Sequence, residues 1–138
     1  MAALTTTRDT PERGGINRAP GVAADAVIFA GSLVCLNASG FAVPGAVATT
    51  LTAIGRAEAS VTGTATAGEV TVPVRSGVFR FSNSTAGDLI TIADIGEDCF
   101  VLDDQTVAKT DGTGARSRAG VVVDVDTAGV WVRIGLRG

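Results

Sequence analysis

The sequence predicts an all-β protein. The expected form is a single compact β-sandwich or barrel-like domain with short hairpins and at most one short helix, preceded by an extended N-terminal arm. Three observations predict it. Gly accounts for 18 of the 138 residues, and Val, Thr and Ala are abundant, which favours strands joined by tight turns. The clearest periodicity is the two-residue alternation of Val70–Ser82 and of the last hairpin. The first twenty-five residues differ from the rest: they are polar, interrupted by Pro11, Gly14, Gly15, Pro20 and Gly21, and carry neither a helical nor a strand period. The domain reading is an extended arm over 1–25 and a β domain over 26–138.

Along the arm, Arg8, Arg13 and Arg18 balance Asp9, Glu12 and Asp25. Thr5, Thr6 and Thr7 are β-branched and suit an extended chain. So polar a segment cannot bury enough apolar surface to order itself. It can order by adding a strand to another protein's sheet edge, where backbone hydrogen bonds supply affinity.

Residues 26–36, AVIFAGSLVCL, read as two short strands around Gly31-Ser32, apolar throughout and therefore expected to be buried on both faces. Asn37–Gly40 is a turn, Phe41–Val43 a short return strand, and Pro44-Gly45 a second turn. Leu51–Ser60 is a strand with Gly55 inside it, which signals a bulge or the close approach of another backbone. Within Val70–Ser82, Val70, Val72 and Val74 fall on one face. The register changes at Ser76-Gly77, after which Phe79 and Phe81 point inward and Arg80 outward. Pro73 has no amide proton and marks an edge or a bulge.

Asp88 is a candidate cap for one short helix, Leu89–Ala93, although Ile90 and Ile92 also suit a strand. Cys99–Leu102 is a strand, with turns at Asp103-Asp104 and Asp111–Gly114. The last hairpin places Val125 opposite Val130, Val123 opposite Val132 and Val121 opposite Ile134 as its buried face. Val122, Asp124, Trp131 and Arg133 take the other face. Trp131, the only Trp, fits either of two roles there: a half-buried ring under a loop, or, with Arg133, a subunit contact, since Trp and Arg are enriched at interface hot spots.

The chain offers little for catalysis. It has no His and no Tyr, which removes the commonest neutral-pH base and metal ligand and any Ser-His-Asp or Cys-His arrangement. Cys35 and Cys99 are too few for a structural zinc site and sit in apolar runs, as buried free thiols do. No phosphate-binding glycine motif is present. Asp103 and Asp104 are chain neighbours, whose side chains in an extended segment would point to opposite faces, and Asp124 with Asp126 ends at a turn where Asp serves local hydrogen bonds. The stretch holding Asp88, Asp94, Glu97, Asp98, Asp103, Asp104 and Asp111 reads as a solvated acidic face, because it lacks the calcium-loop spacing.

A net charge of −3 with eleven scattered basic residues argues against nucleic acid as a partner. No run approaches the roughly 18 apolar residues of a membrane span, and the N-terminus has no signal-peptide core. The expectation is a non-enzymatic, cofactor-free and metal-free chain, made in the cytoplasm without a membrane partner.

The order of the pieces TRDTPER, AVIFAGSLVCLNASGFAVPG, AIGRAE, VPVRSGVFRF, CFVLDDQTVAKT and AGVVVDVDTAGVWVRI resembles the small capsid decoration, or cement, proteins of tailed bacteriophages and prophages, especially those encoded beside Mu-like head genes. The resemblance spans nearly the whole chain. It implies a β-rich body, often a homotrimer, on the outer surface of the phage head, where it stabilises the mature capsid. It also implies that the arm reaches the major capsid protein, through Thr5, Thr6, Thr7, Arg8, Asp9, Thr10, Pro11, Glu12 and Arg13. The alternatives are another virion module such as a head-fibre base or tail-associated protein, a small trimeric β enzyme of the nucleotide-hydrolase kind, and a carbohydrate-binding module.

Overall fold

Leu33, Val34 and Cys35 are all fully buried, because the strand they form lies between two other layers. In the computed structural model, which describes residues 2–10 and 15–135, the chain forms twelve strands in three sheets. The first sheet has five: β1 (Asn17–Arg18), β3 (Leu33–Leu36), β4 (Ala42–Pro44), β5 (Thr52–Ala57) and β7 (Val74–Arg75), in the order β1-β7-β5-β3-β4. The second also has five: β8 (Gly77–Phe81), β9 (Asp98–Val101), β10 (Val107–Ala108), β11 (Arg118–Asp126) and β12 (Gly129–Ile134), in the order β10-β9-β11-β12-β8. A small third sheet pairs β2 (Val27–Ile28) with β6 (Val61–Thr62).

Side chains alternate across a strand, so β3 sends its residues two ways. Leu33 and Cys35 join Ala53 against Phe81, Val101, Val122, Val130, Val132 and Ile134 of the second sheet. Val34 joins Ile54, Ala42 and Val74 on the opposite side, against Val22, Ile28 and Val72. Both large sheets also curl until their edges meet. Val22 bridges Ala42 of β4 in parallel, and Ser82, just past β8, bridges Thr106, just before β10. The all-β, sandwich or barrel-like architecture expected from the sequence is the observed one.

The turns and the Gly55 reading match the residues that demand them. Gly40 N–H donates to the Asn37 carbonyl, and Asn37 Oδ1 accepts from the amides of Ser39 and Phe41. The pairing of β3 with β5 slips between Val34 and Cys35, beside Gly55. A Cβ at Gly55 would run into the Arg75 carbonyl oxygen of β7. Bulge and close approach therefore hold at once at that glycine.

Several expectations are corrected. The body begins before residue 26: Asn17 and Arg18 pair with Arg75 and Val74, and Val22 is a core residue. The polar composition around Val22 hid one apolar side chain that fills the end of a sheet. Burial on both faces does not extend to Val27 and Phe29, which are exposed, because β2 belongs to the outer third sheet. The change of register at Ser76-Gly77 is a change of sheet, with β7 in the first and β8 in the second.

No helix covers Leu89–Ala93, and Asp88 caps none. Two single 3-10 turns stand there, Ala86–Asp88 and Ile92–Asp94, and Thr91 caps the second. In the last hairpin Val123 is an extra residue on β11, since the partners run Val122 with Val132 and then Asp124 with Trp131. Beyond that bulge every side chain changes face. Val122 is therefore buried and Val121, which pairs with Arg133, is not.

Candidate functional site: the arm and an arginine-rich cleft

Arm residues Ala2–Thr10 are all exposed, including Thr5, Thr6, Thr7, Arg8, Asp9 and Thr10. Pro11, Glu12 and Arg13 lie outside the described residues. The root of the arm is fastened. Ser76 donates to the Ile16 carbonyl from its amide at 2.8 Å and from its hydroxyl at 3.2 Å, and that hydroxyl also reaches the Gly15 carbonyl. Asn17 and Arg18 then add β1 to the edge of β7.

That root lines a cleft. Ile16, Ser76, Gly77 and Val78 border two adjoining depressions. One continues to Arg18, Asp98, Arg118, Val121 and Arg133. The other continues to Arg56, Arg75, Phe79, Arg80 and Trp131. The register explains the grouping: Val78, Arg133, Val121 and Asp98 stand in one row across four strands, and Arg80, Trp131 and Asp124 in the next. Residues in register on one face are cross-strand neighbours.

The arginines differ in their partners. Arg56 pairs with Glu58 at 2.9 Å and lies 4.4 Å from the Phe79 ring centre. Arg118 Nε donates to Asp98 at 2.8 Å. Arg80 stands 5.6 Å from the Trp131 ring centre, a cation–π geometry. Among the described residues Arg18, Arg75 and Arg133 have no carboxylate partner. Basic residues that are scattered along the sequence are gathered here by strand pairing. Arg75 and Arg80 flanking Ser76-Gly77 were the available sequence signal, but nothing in the sequence said that Arg18, Arg56 and Arg133 would join them.

The structure brings Trp131 and Arg133 together on one face, as the alternation predicts. Trp131 is also committed locally: its indole N–H donates to Asp126 Oδ2 at 2.9 Å, while Asp126 Oδ1 accepts the amides of Ala128 and Gly129 in the hairpin turn. These bonds, the Trp131 indole first, hold the Asp126 carboxyl below the usual carboxylate range. Asp88 does similar work between loops. It accepts the Thr110 hydroxyl at 2.6 Å and pairs with Arg116 at 3.1 Å, which lowers its pKa, the Thr110 bond being the main cause. Asp103 accepts the Gln105 amide in its turn. Asp126 and Asp103 thus hold their own turns in place, and Asp88 ties its segment to the loop over residues 110–116.

Cys35 and Cys99 are buried free thiols in one cluster, and burial pushes each pKa up to about 12. Among the described residues no three His, Cys, Asp or Glu side chains are grouped to hold a metal ion, and no helix is long and apolar enough to cross a membrane. What the surface offers is contact: residues 2–10 are exposed, residues 15–18 are fastened to β7, and beside them lies a cleft with aromatic and aliphatic side chains and, among the described residues, guanidinium groups without a carboxylate partner. No family model, curated protein or solved structure matches this chain.

Proposed function

We propose that this chain is a structural virion protein that binds the outer surface of a phage head and stabilises the mature capsid, its arm contacting the major capsid protein. One observation carries the reading: Ala2–Thr10 are exposed, while the residues just after the arm are fastened to β7 by Ser76 and by the β1 pairing. A tether of that kind transmits load from an ordered contact into the body. An arm that orders only on its target loses its conformational entropy there, which makes binding wait for the mature surface. Several copies, the homotrimer of the resembled family, multiply weak arm contacts into avidity.

In this reading the body does no chemistry, and its carboxylates and thiols serve the fold. The protein is made in the host cytoplasm and ends on the virion. The test removes residues 1–14, which leaves Gly15, Ile16 and β1 in place. The expected outcome is a folded chain that no longer co-sediments with heads assembled from a phage major capsid protein that the full chain binds. Undiminished co-sedimentation would overturn the role given to the arm.

A further inference from the structure

The segment between β8 and β9 carries an apolar knob. Leu89, Ile92 and Ile95 are 44%, 73% and 46% exposed. Their backbone is held rather than loose. Thr91 and Asp94 form a reciprocal cap around the Ile92–Asp94 turn. Asn83 bonds both backbone groups of Ile90, which is itself buried, and Gly96 and Glu97 bond to Val122 of β11. Three large aliphatic side chains are thus kept in water on a fixed backbone. Asp94 and Glu97 flank them; Lys109 stands 3.7 Å from Asp94, and Glu97 has no ion-pair partner among the described residues.

The cleft is the complement. Its apolar wall includes Ile16 and Val78, 53% and 41% exposed; its Asp98 is held by Arg118, and among the described residues its Arg75 and Arg133 have no carboxylate partner. Within one chain the knob and the cleft do not satisfy each other, since the aliphatic groups of both remain exposed. We propose that two copies of the chain meet head to tail, the acid-flanked aliphatic knob of one seated in the arginine-lined cleft of the next. Apolar surface meets apolar surface, and Glu97 meets the guanidinium groups of Arg75 and Arg133. Opposite charges steer the encounter and fix the register, while the buried aliphatic and aromatic groups supply most of the affinity. The two patches differ, so the contact is heterologous and closes into a ring or continues as a chain. The inference deepens the virion reading but stands on these surfaces alone, and its test involves no capsid.

The experiment is sedimentation velocity on the full chain at low and high salt, with two variants at exposed positions. Ile92→Asp spoils the knob and leaves the cleft. Arg75→Glu with Arg133→Glu spoils the cleft and leaves the knob. Circular dichroism confirms that each is folded. The wild type is expected to self-associate at low salt and less so at high salt. Each variant should weaken association by about 30-fold or more, the size of a hot-spot loss. An equimolar mixture of the two variants should form a one-to-one complex, because one good knob and one good cleft remain. The proposal is overturned by a wild type that stays single up to about 1 mM, the weak end of specific binding. It is equally overturned by assemblies that persist in either variant, or by a mixture that forms no complex.

Discussion

Gly55→Ala probes the joint between the arm's root and the rest of the fold. Gly55 has φ +155° and packs so close to β7 that a Cβ would meet the Arg75 carbonyl oxygen. Holding Ala in that backbone region costs about 1–3 kcal/mol. Relieving the clash moves β7 off β5, where Arg56 pairs with Arg75 and Ala57 with Val74. Weakening one such backbone hydrogen bond adds about 1 kcal/mol. The total is about 3 kcal/mol, or a fall in Tm of about 12 °C for a domain of this size.

The control is Gly40→Ala. Gly40 also has positive φ, +86°, but a Cβ there meets nothing within 4 Å. It carries only the backbone penalty, about 1 kcal/mol. The gain from stiffening the unfolded chain is similar in both and cancels in the comparison. Urea unfolding reads the difference. If Gly55→Ala costs no more than Gly40→Ala, the close approach of β5 and β7 is refuted, and with it the account of how the arm's root is braced.

The packing and the titrating groups can be tested in the same way. Val122→Ala should cost about 2 kcal/mol and Val121→Ala less than half as much, because the bulge turns Val122 into the core; equal losses in chemical denaturation would place the bulge elsewhere. Cys35 and Cys99, buried with pKa values of about 12, should react with a thiol reagent at a pH of about 8, just below the ordinary thiol pKa, only as fast as the protein opens, so rapid labelling of the native chain would contradict their burial. Asp126 and Asp88 have folded pKa values below their unfolded ones, so their stabilisation is present above the unfolded carboxylate pKa and fades as pH falls through the folded values; Asp126→Asn should flatten the acid limb of the stability profile, and an unchanged limb would show that the Trp131 bond carries no linkage.

What was legible in the sequence was local. Val72, Val74, Phe79, Phe81 and the Asn37–Gly40 turn follow from alternation and turn chemistry, which neighbouring residues determine. Gly55 was legible because a glycine inside a strand weakens it unless a bulge or a neighbouring backbone requires the missing side chain. What was hidden was tertiary. Val22 looks like part of a polar tail until Ala42 and Val72 close around it. The extra residue at Val123 leaves no mark in a run of three valines, yet it decides which of them is core. The arginine cleft was invisible for the same reason. Arg18, Arg75 and Arg133 are far apart in the chain, and only the β1–β7 pairing and the β8–β12 register bring them to two adjoining depressions.

The most direct test of the central proposal is amide hydrogen exchange on the chain free and bound to heads. The account predicts fast exchange across residues 2–10 in the free protein and marked slowing there on binding, with Val130–Ile134 of the body already protected in both states. Slowing confined to the body, with residues 2–10 exchanging as fast on the head as in solution, would contradict it.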